Sequence, residues 1–141
     1  MVVAGLLILV GTLVIILHLL RREERSLIEA RYRETTKEWP AAFALYRTLA
    51  TIHPDQIDHS LDLAAAQLRA ERPAESLHTV QELRQLPEPL RSDPRIDLAE
   101  ARAQMERSNF TAALTLLLRA AQKRDQGKVA GTGKTGVPRQ G

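Results

Sequence analysis

From Glu23 to Arg124, apolar residues recur every three or four positions, the spacing that puts them on one face of an α-helix. The clearest stretch is Trp39–Pro54, WPAAFALYRTLATIHP, in which Phe43, Tyr46, Leu49 and Ala50 share a face. Pro40 suits a first helical turn, where its missing N–H has no helical partner anyway. Glu23–Glu38 precedes it, rich in helix formers, with Leu27, Ala30 and Tyr32 placed to cover its start. Three more helices follow by the same periodicity. Gln56–Ala70 carries Leu61, Leu63, Ala64 and Leu68; a helix from Pro73 to about Leu86 carries Leu77, Val80 and Leu83; and Arg95–Arg107 is opened by an Asp93 cap and a first-turn Pro94. A last helix, Phe110–Arg124, is capped by Asn109 and turns Phe110, Ala113, Leu114, Leu117 and Ala120 inward. No run alternates with period two, so no strand is expected and the fold class is all-α. No glycine occurs from Thr12 to Gln126, and the six prolines in that span fall at helix junctions.

Two stretches depart from this pattern. Val2–Leu20, VVAGLLILVGTLVIILHLL, has no charged residue. As a helix it would extend roughly 28 Å at 1.5 Å per residue, close to the ~30 Å hydrocarbon core of a bilayer. It predicts a transmembrane helix over residues 1–20 that continues into Glu23–Glu38. A cleaved signal peptide is the rival reading, but the basic residues, Arg21 and Arg22, follow the apolar run instead of leading it. His18 is placed near the membrane interface and Arg21–Arg25 at its edge. At the other end, residues 127–141 read GKVAGTGKTGVPRQG. Five of those 15 residues are glycine and no apolar face can form, so a disordered tail is expected.

The helices repeat. Small residues stand at Ala42, Ser76 and Ala113, with intervals of 34 and 37. Three positions earlier lie Trp39, Pro73 and Phe110; four positions later, Tyr46, Val80 and Leu117; three beyond those, Leu49, Leu83 and Ala120. On the preceding helix of each pair, twelve positions before the small residue, lie Ala30, Ala64 and Ala101. Small residues at facing points let paired helices approach, whereas a large one there costs about 1–3 kcal/mol. The 34-residue period resembles the tetratricopeptide repeat, and PEPLRSDP absorbs the three extra residues of the second interval. The resemblance implies a short right-handed superhelix of about three helix pairs, at residues 21–54, 55–89 and 92–126. Ser76 in place of alanine, Pro73 in place of an aromatic and the missing closing proline of the third repeat depart from it.

Composition removes several chemistries. There is no cysteine, hence no disulfide, thiolate metal site or cysteine nucleophile. The net charge of +3 arises entirely from Lys128, Lys134 and Arg139: residues 21–125 hold all 17 acidic residues and 17 of the 20 Lys and Arg. A neutral helical region gives no electrostatic reason to expect a nucleic acid. Gly133-Lys134-Thr135 lacks the glycine five positions earlier, the strand and the helix that a phosphate loop needs. His53 and His59 are six apart across a turn and His78 stands alone. Asp55, Asp58 and Asp62 are simpler as caps and solvated residues than as zinc partners, and no metal or cofactor is expected. No nucleophile has a base and an orienting group, so the chain is not expected to be an enzyme.

A narrower likeness lies in WPAAFALYRTLATIHPDQ, LAAAQLRAERPAES and DPRIDLAEARAQ, within residues 38–126. These resemble the repeat region of bacterial transmembrane regulators, in which a winged-helix or serine/threonine kinase domain precedes one membrane helix and a repeat domain. Neither effector domain is in this sequence, so regulator activity does not carry over. The resemblance implies that the first helix of each pair lines a concave binding face, with Asp58, Leu61, Arg69, Arg95, Leu98, Arg102 and Glu106 as candidates for holding a protein segment. The expected function is a membrane-anchored, non-catalytic module for protein–protein interaction; the alternative is a detached or truncated sensor segment with no independent function. The expected partners are a protein or peptide segment and, through residues 2–20, the lipid bilayer. The expected location is a bacterial inner membrane. The basic residues after the helix place the C-terminal part in the cytoplasm, whereas the family topology would place it in the periplasm.

Overall fold

Three helices begin on the same device. Pro40 lies in the first turn of α2 (Trp39–Ile52), Pro73 opens α4 (Pro73–Leu83) and Pro94 opens α5 (Pro94–Glu106). Proline's fixed φ suits that turn and its missing N–H breaks no helical bond there. Asp93 adds a side-chain cap, its Oδ1 accepting from the Arg95 N–H at 2.8 Å. With α1 (Val2–Thr35), α3 (Ile57–Arg69) and α6 (Phe110–Thr132), and a 3₁₀ turn at Leu90–Ser92, these make up the secondary structure of the described residues, which contain no strand. The all-α class therefore holds. The computed structural model describes the backbone of residues 2–132 and the side chains of residues 5, 7–128 and 130. It divides into two compact units, Met1–His59 and Ser60–Gly141.

In the first unit, α1 packs against α2. Ala30 and Ala42 are both wholly buried, and Tyr46 and Leu49 fill the space beside them. Phe43 is buried and stacks on Trp39 at a centroid distance of 6.2 Å. Trp39 itself is half-buried and Tyr32 is exposed, so neither fills the core position expected of it. Tyr46, 1% exposed, is the largest side chain fully enclosed.

In the second unit, α4 packs on α5 and α5 on α6. Ala64, Ser76, Val80, Leu83, Ala101, Ala113 and Ala120 are buried, as the repeat register requires. Between α3 and α4 the contact is partly polar: the buried Thr79 hydroxyl donates to Gln67 Oε1 at 2.9 Å. The face of α6 is rotated from the expected one. Ala113, Leu116 and Ala120 are buried, and Ala113 and Leu116 cluster with Ala101. Phe110, Leu114 and Leu117 are exposed, so Phe110 and Leu117 leave the core set. Phe110 is the first residue of α6, and Leu116 takes the inward place one residue before Leu117.

The turns that enter α2, α4 and α6 are copies of one another. Lys37, Glu71 and Ser108 have φ of 58°, 60° and 59°, and are separated by 34 and 37 residues, the same intervals as the small residues. In each turn the next residue's N–H reaches back five positions, Glu38 to Arg33 O, Arg72 to Gln67 O and Asn109 to Gln104 O, all at 2.8 Å. This is the left-handed C-terminal cap usually built on glycine. Here three residues with side chains adopt it, at a conformational cost of about 1–2 kcal/mol each. The side-chain amide of Asn109 donates to Gln104 Oε1 at 3.2 Å, tying the turn to α5.

Two expectations about the ends of the chain are overturned. α1 is continuous from Val2 to Thr35, as expected, but the membrane span placed on it is not supported. Among the described residues, no helix is long and apolar enough to cross a membrane. The helix does not stop at the end of its apolar stretch but runs on through Arg21-Arg22-Glu23-Glu24 to Thr35. This overturns the transmembrane helix of residues 1–20 and the single-pass inner-membrane location. At the other end, α6 runs through Gly127 to Thr132, so the first part of the expected disordered tail is helical. A Cβ at Gly127 would meet nothing within 4 Å, so that glycine answers to no packing demand. Residues 133–141, including the Gly133-Lys134-Thr135 motif, lie outside the described residues.

Candidate protein-binding groove

Facing stripes on α3 and α5 build a groove in the second unit. On α3, Leu61, Ala65 and Leu68 stand at i, i+4 and i+7, with Ala64 beside them. On α5, Arg95, Leu98, Ala99 and Arg102 stand at i, i+3, i+4 and i+7. Spacings of three, four and seven align side chains along one face of a helix, so each helix presents a single row to the space between them. Ser76 from α4 joins the lining, and the cavity has a volume of about 450 Å³.

The chemistry of the lining is divided. Leu61, Ala64, Ala65, Leu68, Leu98 and Ala99 form the apolar part; Arg69, Arg95 and Arg102 supply three cations and Asp62 one anion. The Arg95 side chain is held by its neighbour's carboxylate, Nε at 3.1 Å from Asp93 Oδ1 and Nη2 at 2.9 Å from Oδ2. Burial pushes the Asp93 carboxyl up, but the hydrogen bonds from the Arg95 side chain and backbone outweigh it and leave the group below the usual carboxylate range. Ser76 Oγ is fully buried and has no hydrogen-bond partner among the described residues.

Of the residues that sequence likeness placed on a binding face, Leu61, Arg69, Arg95, Leu98 and Arg102 come together here. Asp58 and Glu106 do not line the groove, and both are exposed. Asp62, Ala64, Ala65, Leu68, Ser76 and Ala99 were missed as lining residues. Some were legible in principle, since Ala65 and Leu68 lie four and seven positions from Leu61, and Ala99 lies four from Arg95.

A buried ionic cluster holds the edge of α5 away from the groove. Asp97 is 0% exposed; Arg84 Nη2 lies 2.7 Å from its Oδ1 and Lys123 Nζ 2.7 Å from its Oδ2. Arg84 Nε also donates to Glu100 Oε2 at 2.9 Å. Burial pushes the Asp97 carboxyl up, yet the bonds from Lys123 and Arg84 hold it below its ordinary value. Burial likewise pushes Arg84 down, and its bonds to Asp97 and Glu100 more than offset this, so its pKa is raised. One carboxylate thereby joins the end of α4, the start of α5 and the late part of α6.

The first unit has a different constellation. His53 Nε2 lies 3.4 Å from Glu23 Oε2, and His59 Nε2 lies 3.1 Å from Glu23 Oε1, with the imidazole centroids 5.9 Å apart. Sequence reasoning paired the two histidines and missed Glu23, which is 30 residues before His53. Each imidazole faces its own carboxylate oxygen. Among the described residues, no group of three or more His, Cys, Asp or Glu is arranged to hold a metal ion. His78, on α4, lies 3.6 Å from Glu82 in an exposed pair.

No family model, no curated protein and no solved structure matches the chain.

Proposed function

We propose that this chain is a non-catalytic, tetratricopeptide-like helical-repeat module that binds a segment of another protein in the α3–α5 groove. The observation that carries the reading is the groove itself: an apolar strip between two helices, edged by arginines, with a volume of about 450 Å³. Sites of that kind occur between packed helices and bind through apolar area, with a few polar groups setting orientation. The repeat assignment is supported by the three left-handed turns at intervals of 34 and 37 residues, and by the buried small residues at Ala30, Ala64 and Ala101 and at Ala42, Ser76 and Ala113. Random-peptide panning against the full chain tests the binding function. Peptides are expected to be enriched that bind Leu98→Gln at least tenfold more weakly than the natural protein. Enrichment of none, or equal binding to both proteins, rejects the groove as the site.

A further inference from the structure

The largest apolar surface among the described residues lies on α1. Between Leu7 and Leu20, eleven large apolar side chains are each 47–69% exposed. Monomeric proteins rarely leave more than a few hundred Å² of contiguous apolar surface open. A helix that is apolar on every side is one that something else covers.

One strip of this surface runs on past the uncharged stretch. Leu7, Val14 and Ile28 lie seven and fourteen residues apart, with Arg21 at the step between the last two. Val10, Leu17 and Glu24 follow three residues after Leu7, Val14 and Arg21. Alternating steps of three and four are the spacing of a coiled-coil seam, which a left-handed supercoil keeps facing its partner. Ile28 is 67% exposed and Tyr32, one turn further, is 61% exposed. Ile28 is two residues, about 200° of turn, from the wholly buried Ala30, so the strip lies on the side of α1 away from α2. A lipid phase gives a reason for the uncharged run alone, because Ile28 and Tyr32 stand beyond the five consecutive charged residues 21–25.

The strip is complementary to itself. Arg21 and Glu24 are exposed and belong to no ion pair among the described residues. In a parallel pair in register, Arg21 of one copy lies one step, about 4.5 Å along the axis, from Glu24 of the other. Each apolar layer then meets its own counterpart. An antiparallel pair would instead lay the uncharged run against the charged residues between Arg21 and Arg33. The polar step costs stability relative to leucine and fixes the register. From Leu7 to Tyr32 the strip is about 38 Å long. Its eight side chains, at roughly 100 Å² each, supply the ~800 Å² per partner of a specific interface.

We propose that α1 joins this chain to a second copy of itself, parallel and in register, along the strip from Leu7 to Tyr32. The contact is independent of the α3–α5 groove. Ile8 and Ile15, exposed on other sides of the same run, let further copies join around the seam.

The full chain tests this directly. Sedimentation equilibrium is expected to give a whole multiple, two or more, of the 15.7 kDa chain mass. The chain has no cysteine, so a single introduced thiol reports the contact. A disulfide needs Cβ atoms within about 4.5 Å. Under mild oxidation Val14→Cys and Ile28→Cys should therefore form linked pairs at least tenfold faster than Arg47→Cys, an exposed position on α2. Ile28→Glu is expected to weaken the association at least tenfold, with the far-UV circular dichroism unchanged. A single-chain mass, linkage at neither α1 position, equal linkage through Arg47→Cys or indifference to Ile28→Glu overturns the proposal. So does flotation of single chains with phosphatidylcholine vesicles, which would make lipid the occupant of the strip.

Discussion

The two units share a helix-turn-helix design and differ in what ties it together. In the first, α1 and α2 meet through Ala30 and Ala42, enclose Tyr46, and add Trp39 stacked on Phe43. Its arginine pairs, Arg33 with Glu38 and with Glu29, lie at the surface. In the second, the same small-residue approach recurs at Ala101 and Ala113, but a fully buried carboxylate, Asp97, is locked between Arg84 and Lys123. Each unit also has a hollow of similar size. The first, about 500 Å³, is lined by Leu20, Glu23, Leu49, Ile52 and His53 among others, and brings an acid and an imidazole together. The second, about 450 Å³, has an arginine rim over leucine and alanine. The common backbone plan thus governs how the helices approach, while the polar residues that close each unit decide what chemistry its hollow offers.

The largest effect that separates the two is expected at the buried cluster. Arg84→Met leaves Asp97 enclosed with one cation fewer, and breaking a buried pair from one side costs about 3–5 kcal/mol. Urea denaturation followed by circular dichroism should show that loss, whereas Arg33→Met should leave the midpoint unchanged because its partners are solvated. A loss below 1 kcal/mol for Arg84→Met would show that Lys123 alone compensates Asp97. Next comes the feature the units share. Ala30→Leu and Ala101→Leu should each cost about 1–3 kcal/mol, since both alanines are wholly buried where paired helices approach. If one is costly and the other neutral, the two pairs are not equivalent repeats. The smallest effect is stabilising. Glycine in place of Lys37, Glu71 or Ser108 removes a Cβ penalty at positive φ, and should add about 0.5–1 kcal/mol at each turn after the greater flexibility of the unfolded chain is deducted. Equal gains at all three would strengthen the equivalence of the turns; a loss at any one would mean that its side chain makes a compensating contact.

How much of this was legible depends on the range of the interaction. Helix positions followed from periodicity, and starts such as Pro73 and the Asp93–Pro94 cap were placed to within a residue, because capping and proline chemistry act locally. The register of Ala42, Ser76 and Ala113 was visible because close helix approach tolerates only small side chains, a constraint that survives in the sequence as a period. Five groove residues were placed by likeness to repeat proteins; Ala99, which completes the i, i+3, i+4, i+7 row on α5 with three of them, was not. The end of the last helix was read too early, since Gly127 suggested a break that a solvated helix end does not need.

By itself, then, the sequence determined an all-helical chain of paired helices with recurrent small contact positions and a sparing chemistry free of cysteine. Tertiary structure alone decided that Asp97 would be buried between Arg84 and Lys123, that Glu23 would meet His53 and His59, and that Leu116 would turn inward where Leu117 was expected. Local propensities set each helix, but which residues meet depends on how neighbouring helices are rotated about their axes. A helix turns by about 100° per residue, so a shift of one position exchanges a core side chain for an exposed one without altering the periodicity from which the helix is recognised.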